Sequence, residues 1–118
     1  MEINQKNRKY LRRGNTGEFK FQRKDANSNP ILTIATKVYF TVKKNTEEVN
    51  YLFQKTLDDM TFDGEGYYHL TIDPEDTANL EYGDYVYDVE IIVEDYKKTP
   101  VVGILTICDV VTFPQNED

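Results

Sequence analysis

Residues 82 to 93, YGDYVYDVEIIV, alternate apolar and polar side chains with a period of two. An extended strand with one buried face satisfies this pattern, whereas a helix would smear the same residues around its circumference. On a strand, Tyr85, Tyr87, Val89, Ile91 and Val93 share one face, and Val86, Asp88, Glu90, Ile92 and Glu94 the other. The tyrosines are expected in the core, with their hydroxyls reaching its rim.

The same period runs through much of the chain. Phe19 and Phe21 alternate with Glu18, Lys20 and Gln22, and the turn-forming cluster DANSNP follows. In TKVYFTVKK, Val38, Phe40 and Val42 oppose Tyr39, Thr41 and Lys43; in YLFQKTL, Tyr51, Phe53, Lys55 and Leu57 share a face. The stretch DDMTFDGEG reads as a hairpin loop, after which YYHLTI sets Tyr68, Leu70 and Ile72 against Tyr67, His69 and Thr71. Beyond a turn at EDYKKT, PVVGILTI is a strand with Leu105 and Ile107 facing in, and DVVTF is an edge strand. Only DPEDTANL breaks the rhythm. Asp73 as N-cap, Pro74 at the first helical position and acids at Glu75 and Asp76 predict one helical turn.

Short strands with turns every eight to twelve residues predict an all-β fold, an antiparallel β-sandwich of six or seven strands with one short helical turn. A small barrel is the alternative. With no tryptophan and one cysteine, the chain lacks the framework of antibody domains, so "immunoglobulin-like" describes its architecture alone. At 118 residues there is room for one domain, drawn over residues 16 to 113. A basic arm over 1 to 15 and a polar tail over 114 to 118 flank it.

Charge gives the chain its one strong asymmetry. The net charge is −7, yet residues 1 to 14 hold five basic residues and a single acid, Glu2. The acidic balance argues against nucleic-acid binding, and no apolar run is long enough for a membrane span or a signal-peptide core. Arg8, Lys9, Arg12 and Arg13 are the candidate partner-binding residues, on an arm whose removal is expected to leave the body folded. Tyr39, Tyr67 and His69, on the polar faces of their strands, are candidate surface contacts.

Nothing points to catalysis. His69 is the sole histidine, so a histidine-based metal cluster or hydrolase triad has no spare partner. The acids of DDMTFDGEG fail as a calcium loop: with Gly64 sixth, Thr61 falls third and Leu70 takes the place of the bidentate glutamate. Cys108, in the run GILTIC, reads as a buried small hydrophobe. No enzyme, cofactor, metal or small-molecule substrate is expected.

The stretch DPEDTANLEYGDYVYDVEI, followed by a short turn and the Gly103, Leu105, Ile107 strand, resembles small immunoglobulin-like domains of bacteriophage virions. The similarity is nearest to the N-terminal domain of phage baseplate upper proteins. RRGNTGEFKFQRKDANSNPI and KVYFTVKKN resemble the first and second strands of those domains. The resemblance implies a non-enzymatic virion component of the tail, baseplate, neck or capsid surface, made in the bacterial host cytoplasm. Its partners would be other virion proteins and copies of itself. Because the chain ends soon after the domain, a free-standing component is expected rather than an adaptor. A carbohydrate- or host-surface-binding module is the alternative function.

Overall fold

The computed structural model describes residues 8 to 109, and within them eight strands form two sheets. In chain order they are β1 (Lys9–Arg12), β2 (Gly17–Gln22), β3 (Lys37–Lys43), β4 (Phe53–Thr56), β5 (Met60–Phe62), β6 (Tyr67–Ile72), β7 (Gly83–Val93) and β8 (Tyr96–Cys108). The short helix α1 (Pro74–Thr77) precedes β7. One sheet has the order β1-β8-β7-β3-β4 and the other β2-β6-β5. All pairings are antiparallel except that of β1, which runs parallel to β8.

The all-β reading holds, with corrections of detail. Six or seven strands were expected, and there are eight among the described residues. The additional β5 is Met60–Phe62, inside the stretch read as a loop. It pairs Met60 with Leu70 and Phe62 with Tyr68. The sheet also begins inside the segment read as an arm, since Lys9–Arg12 is a strand in register with Leu105, Thr106, Ile107 and Cys108. The turn between β7 and β8 shrinks to Glu94 and Asp95, because β8 already starts at Tyr96. Of the expected strand DVVTF, Asp109 lies outside any strand and the rest falls beyond the described residues, as does the tail over 114 to 118.

Period-two alternation explains how the sheets meet. Val38, Phe40 and Val42 of β3, and Tyr85, Tyr87, Val89 and Ile91 of β7, are buried on one face; Phe19, Phe21, Tyr68, Leu70 and Ile72 oppose them from the other sheet. Aromatic rings join the two. Phe19 of β2 meets Phe40 at 5.1 Å between centroids and Tyr87 edge-on at 5.2 Å, while Phe40 and Tyr87 lie 5.5 Å apart. Such offset and edge contacts add to the burial of the rings. Burial pushes the Tyr87 hydroxyl up to about 12.

Two hydroxyls fix the connections. The Tyr85 hydroxyl donates to the carbonyl of Glu81 at 2.7 Å, locking the entry into β7 just after the crossing between sheets. Tyr68, wholly buried and stacked on Phe21, accepts the Ala35 N–H at 3.0 Å and so holds the loop over residues 23 to 36. Gly66, at φ +90°, closes the β5–β6 turn against the same loop; a Cβ there would stand 2.9 Å from the Ile31 carbonyl oxygen.

Lys55 faces inward beside Phe53, as the alternation implies, and reaches α1. Its Nζ contacts Asp73 at 3.0 Å and Asp76 at 2.7 Å, with only 11% of the side chain exposed. Asp76 also accepts the Asp73 N–H, so the lysine neutralises the carboxylates that organise the helix start. Burial lowers the Lys55 pKa, but the two carboxylates outweigh it and the net shift is upward. This stabilisation is full below the ordinary value of 10.5 and is lost as the pH rises through the raised one. Lys55→Met should cost about 2 kcal/mol at neutral pH, because it leaves paired acids without their cation. Urea denaturation of the variant checks this, and an unchanged midpoint would show the bridge to be dispensable.

Candidate interaction surfaces

The four basic residues proposed for partner binding sit on or beside β1, where Arg8 and Arg13 make hydrogen bonds to the chain itself. Arg8 donates through Nη1 to Asp84 Oδ1 at 3.0 Å and to Thr106 Oγ1 at 2.6 Å. The Thr106 hydroxyl, itself donating to Asp84, and then Arg8 hold the Asp84 carboxyl below its ordinary range. Arg13 donates to the Leu80 carbonyl at 3.3 Å and lies 4.2 Å over the Tyr82 ring, a cation–π distance. Lys9 reaches over the Phe19 ring at 5.2 Å, and Arg12 is level with Cys108 in the ladder. The cluster therefore straps β1 onto the β7–β8 region and presents a basic outer edge.

The Cys108 thiol is half-buried and donates weakly to the Leu11 carbonyl at 3.6 Å. Burial pushes its pKa up despite Arg12, which is the reverse of what a reactive thiol needs.

Tyr39, Tyr67 and His69 do not converge. Tyr39 lies on the outer face of the five-stranded sheet, opposite Glu90 and Thr56, whereas Tyr67 and His69 belong to the other sheet. There, β2 and β5 flank His69 with Lys20 on one side and Thr61 on the other. Together with Glu18, Asp59, Asp63 and Thr71, these side chains line an open polar groove of about 690 Å³. Lys20 covers the Tyr67 ring at 4.6 Å.

His69 is not simply solvated. Its Nε2 is 2.8 Å from Asp63 Oδ2, while Asp63 Oδ1 accepts the N–H groups of Glu65 and Tyr67. Sequence reasoning tested Asp63 as a calcium ligand and missed this pairing, although the Asp-x-Glu-x-Tyr spacing of an Asx-type turn was there to be read. Both oxygens thus organise the hairpin, and among the described residues no group of three or more His, Cys, Asp or Glu could hold a metal ion.

The bond from His69, then the Tyr67 N–H, hold the Asp63 carboxyl down at about 2. A depressed carboxylate stabilises the fold above its ordinary value of 3.8, and that contribution disappears as the pH falls through about 2. Asp63→Asn should therefore flatten the acid limb of the stability profile between those values. Denaturant midpoints at several pH values test it: a variant that keeps the full acid slope would assign the slope to other carboxylates.

No protein-family model and no curated protein matches the sequence.

Proposed function

We propose that the chain is an immunoglobulin-like β-sandwich serving as a structural component of a bacteriophage particle, in the tail, baseplate, neck or capsid surface, and acting by assembly rather than catalysis. The observation that carries this reading is the hydrogen bond from Tyr85 to Glu81, two residues before the buried Tyr87. A tyrosine corner of this kind, at the entry to the strand that follows a helical crossing, is a recurring feature of immunoglobulin-like sandwiches. It lies within the stretch that carries the resemblance to phage virion domains. Phe19, Phe40 and Tyr87 support the same reading, forming an inter-sheet aromatic pin like the disulfide and tryptophan of antibody domains.

In this role the two-sheet body is a rigid block, and the basic β1 edge, with Lys9 and Arg12 along it, docks on acidic surface of a neighbouring subunit or a second copy. The test is mass spectrometry of gradient-banded particles from a culture carrying the gene. Co-banding in fixed ratio to the particle proteins is expected, and recovery solely from the particle-free lysate would overturn the proposal.

A second reading, binding of a surface carbohydrate, is favoured by the polar groove around His69, whose hydroxyl, amine and carboxylate groups suit a polyol. Glycan binding lost on Thr61→Val and Lys20→Met, with particle incorporation unaffected, would favour it.

A further inference from the structure

The two sheets differ in reach. β7 and β8 have 11 and 13 residues, against six each in β2 and β6. β2 stops at Gln22, so the inward stripe of β7 outruns the sheet that should cover it. Ile91, Val93 and Ile31 consequently floor a cavity of about 310 Å³ at the loop end of the molecule. The β7–β8 register sets Lys98 beside Ile91 and Tyr96 beside Val93, placing an amine and a ring on its walls.

Among the described residues the charged side chains that line the cavity, Arg23, Lys24 and Lys98, are all cationic, with Gln22 beside them, on a chain whose net charge is −7. Among the described residues none of the three pairs with an acid: Arg23 donates to the Thr33 carbonyl at 2.7 Å, and Lys98 lies over Tyr96. The Arg23 Nε is buried without a hydrogen-bond partner. A guanidinium so held, desolvated in part and facing no counter-charge, gains strongly from a carboxylate brought alongside.

The loop that supplies Ile31 and the wall residue Tyr96 also carry exposed apolar side chains. Leu32 and Ile34, on the loop that supplies Ile31, are 61% and 55% exposed, and Tyr96 is 66% exposed. The loop is nevertheless fixed, through Tyr68 to Ala35, Thr36 to the Ile92 carbonyl, and Glu94 to Thr36. A preorganised apolar cavity with a polar, charged rim is the usual form of a binding site.

We infer that this loop end docks an acidic polypeptide segment carrying an apolar anchor side chain. The anchor would fill the cavity over Ile31, Ile91 and Val93, and the flanking acids would meet Arg23, Lys24 and Lys98. The cavity volume suits one or two side chains, and the three cations set around it, Arg23, Lys24 and Lys98, call for a segment carrying several acids rather than a small acid. The site stands apart from the assembly reading, and its failure would leave particle incorporation untouched.

Methyl and amide NMR of the full chain tests the inference. The probe is a ten-residue peptide of glutamate and aspartate with one central phenylalanine. It should shift the Ile31, Ile91 and Val93 methyls, and its affinity should fall about tenfold or more in Lys24→Glu/Lys98→Glu. Both lysines are exposed, so the variant keeps the fold. The charge-matched control Lys43→Glu/Lys44→Glu should bind as the parent does. Equal loss in the control would overturn the site, as would equal binding of the peptide with serine in place of phenylalanine. Tighter occupation by dodecanoate or by phosphatidylglycerol vesicles would replace the polypeptide with an amphiphile or a membrane. Concentration-dependent shifts of the same methyls without peptide would replace it with a second copy.

Discussion

Val89→Asp should yield a chain with no cooperative unfolding transition and a collapsed amide spectrum. Val89 is wholly buried at the centre of β7, in register with Phe40 on one side and Val101 on the other. An unpaired carboxylate in that position costs several kcal/mol, against a total margin of about 5–15 kcal/mol for a domain of this kind. The neighbouring Glu90→Ala is the control. Glu90 points outward and makes a 3.4 Å ion pair with the largely exposed Lys97, worth about 0–1 kcal/mol. Its charge also raises the pKa of partly buried Asp88, after desolvation, so removing it relieves some repulsion. Circular dichroism and proton NMR at one temperature separate the two variants. A folded Val89→Asp protein would reverse the assignment of inner and outer faces.

That face assignment was legible because it rests on alternation alone. β2, β3 and β6 each bury the residues their period selects, β7 does so up to Ile91 but leaves Val93 exposed where the opposite sheet ends, and α1 begins at the Asp73-Pro74 signal. Two strands were hidden for different physical reasons. β5 has only three residues, too short for a period to emerge from the acidic, glycine-containing stretch around it. In β1, KYLR, one tyrosine and one leucine sit side by side between two cations with no alternation, and parallel pairing leaves no hairpin turn in the sequence to announce the strand. The surfaces were less legible still. Lys55 was correctly placed beside Phe53, but its partners Asp73 and Asp76 lie on the far side of two strands, a distance no local pattern encodes. The cavity at the loop end depends on one sheet being shorter than the other, which becomes visible only when the strands are in register.

The concealed strand β1 carries the second large effect. Deleting residues 1 to 14 should destabilise the protein severely, contrary to what an arm outside the domain implies. The deletion removes four in-register pairs along β8 and Leu11, which packs against the core and whose Cδ1 would stand 2.9 Å from a Cβ at Gly17. It also removes the Arg13 N–H bond to the Cys108 carbonyl and the Gly14 N–H bond to Thr77 Oγ1. The latter strips a partner from a wholly buried hydroxyl. Burial of one leucine contributes about 1.5–3 kcal/mol and each lost hydrogen bond about 1 kcal/mol, so the sum takes a large share of the stability. The exposed edge of β8 then becomes a template for pairing between chains, and the truncated protein should aggregate as it melts. Cutting only residues 1 to 7 leaves β1 in place and serves as the reference truncation. Comparing the two truncations by thermal melting and light scattering therefore isolates the strand. Equal melting temperatures would reduce β1 to a passive strap, and the docking edge proposed for assembly would lose its rigid support.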